Sequence, residues 1–185
     1  MKPRLLPVRL YGDNILRTKL SECDVNDPAL HEFISDLSYT MYERDGVGLA
    51  ANQVGSHFRV FVIDPDWARE DIEPNPIVMI NPVIESREGE ADNEEGCISL
   101  PGIFANVHRA VKISYSYTDP QGNRIQETAE GFKAVVIQHE YDHLEGFVFT
   151  DRVGTLAKLR LKRRLNEIAA TAVDGINIME GFPDD

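Results

Sequence analysis

The stretch QHEYDHLEGFVF, residues 138–149, holds two histidines four apart, His139 and His143, with Glu140 between them. On a helix, positions i and i+4 share a face, so both imidazoles can reach one metal ion. A hydrolytic metal takes three protein ligands and keeps a fourth position for water. Some metalloproteases draw the third ligand from a later histidine, in H-E-x-x-H-x-x-G-x-x-H. Gly146 fits that pattern, but Phe149 stands at its last position. By chance alone, H-E-x-x-H arises in roughly 1% of chains of this size and composition, so the pair needs support from elsewhere.

Two residues compete for the third ligand. Glu167 lies 24 residues beyond His143, as in proteases with a downstream glutamate ligand. It also sits four residues after Arg163 on a basic helix, where a surface ion pair is the ordinary role. Cys97 lies in EEGCISLPG, where Gly96 and Gly102 free the backbone and Ser99 adds a donor. A divalent cation balances a thiolate's charge and enforces its deprotonation, yet a buried, inert thiol reads the same way. Cys23, His31, His57 and His108 sit among polar neighbours or beside strands, with nothing that points to metal.

These side chains must be carried by defined elements. Asp27 is a helix N-cap with Pro28 at the first helical position, and Leu30, Phe33, Ile34, Leu37 and Met41 follow at helical spacing up to Gly46. Strands are predicted at 58–63, 77–84, 111–118 and 124–130, with DPQGN (119–123) as the hairpin turn between the last two. The acidic stretches 64–76 and 85–95 read as surface loops. The histidine helix follows Gly131 and closes at Gly146. Its residues Phe132, Val135 and Val136 share the stripe of His139 and His143, which turns the pair inward; such a stripe is core packing by default. A last helix spans about 155–170, with Leu156, Leu159, Leu165 and Ile168 on one side. The whole predicts an α+β domain, mainly antiparallel β-sheets around a central HExxH helix with N- and C-terminal helices. Residues 1–170 form one catalytic domain, and 171–185 an acidic, flexible tail.

The chain has 185 residues, 42% of them hydrophobic and 27% charged, which suits one globular domain with a real core. No apolar run approaches the ~20 residues a membrane helix needs, and the start MKPRLLPVRLYGDN lacks a secretory h-region. Two cysteines are too few for a disulfide framework. Both features point to a cytoplasmic protein. A net charge of −12 argues against DNA and against general nucleic-acid binding. The exception is KLRLKRR (158–164), which holds five of the nineteen Lys and Arg residues. It is either a solvated helix face or a contact for ribosomal RNA.

Three stretches, GVGLAANQ (46–53), EGCIS (95–99) and QHEYDHLEG (138–146), resemble in order and spacing the signature motifs of the peptide deformylases. The similarity extends over about residues 5–165. It implies that Cys97, His139 and His143 hold the metal, usually Fe²⁺, with Zn²⁺, Ni²⁺ or Co²⁺ able to substitute. It implies hydrolytic removal of the formyl group from N-formylmethionine on new polypeptides, in a bacterial cytoplasm. Glu140 would serve as general base and acid, and the Gln53 amide with the Ile98 N–H as oxyanion donors. Ile98 replaces a common leucine, a mild change for a backbone donor. Val47, Phe132, Val135 and Val136 would form the methionine slot. Gly46 and Gly48 would permit unusual φ values and close approach of an extended peptide. Some bacterial members dock near the ribosomal exit tunnel through a C-terminal helix. Ala110, where many relatives have proline, and Lys133, for a common apolar residue, are departures touching only loop rigidity and the pocket rim. The rival readings are a zinc metalloprotease using Glu167 and a non-catalytic metal-binding, ribosome-associated module.

Overall fold

The protein is described here from a computed structural model, in which residues 2–67 and 72–179 are defined. The first helix, α1 (Pro28–Glu43), starts where its cap dictates: the Asp27 carboxylate accepts from the Ala29 N–H at 2.8 Å. Leu30, Ile34, Leu37 and Met41 are buried along one face. After α1, the Gly46 N–H bonds back to the Met41 carbonyl at 2.9 Å, and the chain enters the short strand β1 (Gly48–Ala50).

Six further strands follow: β2 (Val60–Ile63), β3 (Ile77–Glu88), β4 (Ala91–Cys97), β5 (Leu100–Arg109), β6 (Lys112–Thr118) and β7 (Arg124–Glu130). Five of the seven strands form one antiparallel sheet in the order β1-β2-β3-β6-β7; β4 and β5 pair separately as a ribbon. The central helix α2 (Gly131–Leu144) and α1 pack against the large sheet. Val60–Ile63, Ile113, Tyr115 and Ile137 lie in this main core, each at most 1% exposed. A second core joins Leu100, Ile103 and Val107 of β5 to Phe149, Val153 and Leu165. The architecture is α+β with antiparallel sheets, as the patterns predict.

The acidic segment 85–95 is not a loop. β3 runs on to Glu88, and β4 begins at Ala91. The alternation that should have marked β4 is hidden because its inward residue, Glu95, is itself a carboxylate, buried against Arg109. The last helix, α3 (Thr155–Ala169), keeps its predicted extent but only half of its predicted face, Leu165 and Ile168. Leu156 and Leu159 stand 72% and 63% exposed. The packed stripe is Ala157, Leu161, Leu165 and Ile168, spaced by four, four and three, in the core shared with β5 and Phe149.

The tail also differs from expectation over its described part. Residues 171–179 fold back along the N-terminal segment: Ile178 bridges Arg9, and the Met179 N–H donates to the Val8 carbonyl at 2.8 Å. Asn177, 2% exposed, fastens this return. Its backbone N–H reaches Asp13 at 2.9 Å, and its side-chain amide donates to the carbonyls of Tyr11 and Ile168 at 2.8 and 2.9 Å. An acidic composition hid one buried side-chain amide with three partners, Thr171 being the third. Residues 180–185 lie outside the described part.

Candidate metal centre

The hairpin between β4 and β5 turns on Ile98 and Ser99, which presents Cys97 to the face of α2 that carries His139 and His143. The sulfur and one nitrogen of each ring lie within 4.8 Å of one another, the one such group of three among the described residues. Cys97 Sγ is 3.4 Å from His143 Nε2. Two donors of a tetrahedral ion, at the usual metal–sulfur and metal–nitrogen lengths, stand about 3.6 Å apart. A thiolate and two imidazoles at this spacing fit a divalent transition metal.

The His139 ring is aimed by a neighbour, whereas His143 Nδ1 is buried with no hydrogen-bond partner among the described residues. His139 Nδ1 bonds to Glu95 Oε1 at 2.7 Å, which leaves its Nε2 for an ion. Glu95 in turn accepts Arg109 at both oxygens, at 2.7 and 2.9 Å. Arg109 spends its remaining donor on Asp142 at 2.7 Å, and Arg152 closes the row on Asp142 at 2.9 Å. Glu95, Arg109 and Asp142 are all buried. Arg109 holds the Glu95 carboxyl below its ordinary range, with help from His139, against the upward push of burial. This row has no signature in the sequence beyond the extra glutamate of EEGC.

Burial disfavours the charged form of both histidines. At His139 the Cys97 sulfur and the Glu95 carboxylate overcome it and hold the ring well above its usual range. His143 is held well below, by burial and by the positive His139 and Arg109. Coordination needs a neutral imidazole with its Nε2 lone pair free, so an ion here would favour that form of His139. Glu140 is 4% exposed, and its Oε2 has no hydrogen-bond partner among the described residues. Burial, reinforced by Glu95 and offset by His139 and Arg109, pushes its carboxyl up to about 7. A dication beside it would draw that value down again.

Gln53 sits in the 3-10 turn Ala51–Val54 that follows β1. Its Oε1 accepts the Ala50 N–H at 2.9 Å, which aims Nε2 at Cys97 Sγ, 3.2 Å away, and at Ser99 Oγ, 3.3 Å away. Gly48 and Gly46 have ordinary φ values, contrary to the expectation of unusual ones. Close approach is the true constraint at Gly48, where a Cβ would fall 2.6 Å from Glu140 Oε1. Gly46 instead offers its carbonyl to the Trp67 indole at 2.8 Å.

A cavity of about 530 Å³ opens over these groups. Cys97, Ile98, Gln53, His139 and Glu140 lie on its walls together with Gly46, Val47, Gly48, Phe132, Val135 and Val136, so every site residue that the family resemblance implies, except His143, lines it. Val135 and Val136 are buried, whereas Phe132 stands at the mouth, 57% exposed. Glu167 is remote, exposed and 3.7 Å from Arg163 on its own helix, the surface pair that its spacing suggests. Phe149, which replaces a third histidine, stacks on the His139 ring at 6.1 Å between centroids. Ala110 makes use of not being proline: its N–H donates to Gln138 Oε1 at 3.1 Å, and Gln138 Nε2 returns to its carbonyl at 3.0 Å. Lys133 meets Glu127 at 3.8 Å on the surface.

An HExxH helix and an upstream cysteine, converging beneath an apolar cavity on an α+β frame, define a metal-dependent hydrolase. The family model described as polypeptide deformylase matches residues 5–159. A peptide deformylase 2 of Xanthomonas campestris is 41% identical over 167 residues, covering 89% of this chain and 96% of that protein. A peptide deformylase of Aquifex aeolicus is 42% identical over 144 residues, covering 78% and 85%. The crystal structure of the Legionella pneumophila enzyme superposes with a TM-score of 0.80 at 35% identity, covering 89% of this chain and 95% of that one. The chain belongs to the polypeptide deformylase family.

Proposed function

We propose that Cys97, His139 and His143 hold a single Fe²⁺, with Zn²⁺, Ni²⁺ or Co²⁺ able to occupy the same donors, and that Glu140, Gln53 and Ile98 act around it. The reaction is hydrolysis of the formyl group from the N-terminal formylmethionine of newly synthesised polypeptides. When bound, the ion supplies Lewis-acid polarisation of the formyl carbonyl and a water acidified into the neutral range. Glu140, buried beside the donors with a free oxygen, takes the water proton and delivers it to the departing amine. The C–N bond breaks, formate leaves, and the peptide keeps a free N-terminus.

Gln53 Nε2, 3.2 Å from Cys97 Sγ, and the N–H of Ile98, the next residue in the chain, donate to the oxyanion that develops on the formyl oxygen; one such donor contributes about 10²–10³ in kcat. The methionine side chain enters between Val47, Phe132, Val135 and Val136. β1 is an edge strand of the large sheet, so an extended peptide can lie along Val47–Gly48 and bond to backbone there. The observation that carries this reading is the convergence of Cys97, His139 and His143 at the base of that cavity. It also favours this reading over the protease alternative, which requires Glu167 at the ion.

The test is hydrolysis of formyl-Met-Ala-Ser by anaerobically purified protein, beside its acetylated twin. Turnover of the formyl peptide, lost by about 10²–10⁴ in Glu140→Ala with metal content retained, is the expected result. Activity of Glu140→Ala within tenfold of the parent would remove Glu140 from this role, whereas a metal-loaded parent that leaves the formyl peptide intact would favour a non-catalytic metal module.

The reading extends to place and partner: a bacterial cytoplasm, with the exposed face of α3 docking on ribosomal RNA. No helix among the described residues is long and apolar enough to cross a membrane. Lys158, Arg160, Lys162, Arg163 and Arg164 are exposed on α3 beside the uncovered Leu156 and Leu159. Neutralising Lys158, Lys162, Arg163 and Arg164 should abolish co-sedimentation with ribosomes at low salt; unchanged sedimentation would discard this role.

A further inference from the structure

The cavity above Cys97 has one wall from an unexpected source. Met179 lines it, though it lies ten residues past the end of α3 and 20 past the family match, which ends at residue 159. Its place is fixed by a chain of backbone bonds. Met179 N–H donates to the Val8 carbonyl at 2.8 Å, and the next residue, Arg9, donates its N–H to the Gln53 carbonyl at 2.7 Å. Tyr11 N–H reaches the Ser99 carbonyl at 2.8 Å. The N-terminal segment is thus stitched to both Gln53 and the β4–β5 hairpin, and the returning chain is stitched to that segment. Asn177 locks the return from inside. Met179 therefore stands on the Gln53 side of the cavity, as Val135 and Val136 stand on the α2 side.

We propose that Met179 is a substrate-contacting residue: its side chain, held in place by the returning segment 176–179, forms an apolar wall of the cavity that grips the formylmethionyl peptide. This rests on the functional reading above. A thioether on three rotatable bonds adapts to an apolar ligand without a fixed shape of its own. Ile176 and Ile178 are exposed and Asn177 is buried, so the segment's one side chain directed to the cavity is Met179. Asn177 is then a positioning residue that acts through Met179.

The test is steady-state kinetics of the metal-loaded enzyme on formyl-Met-Ala-Ser, with KM and kcat resolved separately. Met179→Ala should raise KM roughly 3- to 10-fold, the loss of one partly covered apolar contact, with kcat within twofold and metal content unchanged. Met179→Leu, which restores apolar volume, should return KM to within twofold of the parent. Asn177→Ala should raise KM in the same way with Met179 intact. A Met179→Ala enzyme with KM within twofold of the parent overturns the inference, whatever its thermal stability. So does a kcat loss that Met179→Leu fails to repair. If the unmodified enzyme does not turn over the formyl peptide at all, the functional reading fails first and takes this inference with it.

Discussion

Glu95 is the residue on which the centre's geometry turns, and Glu95→Gln tests it. Its carboxylate holds His139 Nδ1 at 2.7 Å and accepts two bonds from Arg109 at 2.7 and 2.9 Å. Both carboxylate and guanidinium side chains are 5% exposed. Glutamine keeps the shape and one acceptor oxygen, but it removes the charge that steadies His139 and balances Arg109. Loss of a partner behind a metal-bound imidazole costs about 10- to 100-fold in metal affinity. Stripping one partner from a buried ion pair costs about 3–5 kcal/mol. Asp142 still faces Arg109 at 2.7 Å, so the stability loss should fall near the lower figure, about 3 kcal/mol. Chelator competition reads the affinity, and urea unfolding of the metal-free protein reads the stability. Affinity within threefold of the parent, together with stability within about 0.5 kcal/mol, a change typical of an inert surface site, would refute the claim that the Glu95–Arg109–Asp142 row aims His139.

Two other substitutions probe single contacts. Gly48→Ala places a methyl 2.6 Å from Glu140 Oε1; it should lower kcat at least about tenfold by displacing the general base, while metal content, read by atomic absorption, stays the same. Gln138→Leu leaves both backbone groups of Ala110 without their side-chain partners; it should cost about 2–4 kcal/mol in urea unfolding, with KM for the formyl peptide little changed.

Much of the site could be read from residue types. His139, Glu140 and His143 were legible because helical spacing alone puts two imidazoles on one face. The third ligand was not: Cys97 and Glu167 each had a plausible pattern, and only the family resemblance separated them before the β4–β5 hairpin brought the sulfur to α2. Local rules placed α1, α2 and the β6–β7 hairpin, since Asp27, Gly131, Gly146 and DPQGN act on their own neighbours. They failed at β4, whose inward residue is a carboxylate neutralised by an arginine 14 positions away. They failed again at 171–179, where composition suggested a free tail and one amide, Asn177, decides otherwise. Leu156 and Leu159 misled for a related reason: they share the helix with a packed row but stand off it. In each case the deciding partner is distant in sequence.

The central claim is that one sulfur and two imidazole nitrogens hold a single ion. X-ray absorption of the anaerobically purified protein measures it directly. The account predicts one metal–sulfur distance near about 2.3 Å and two nitrogen distances near about 2.1 Å, with the sulfur shell lost in Cys97→Ala. A first shell of nitrogen and oxygen only, unchanged by that substitution, would contradict it.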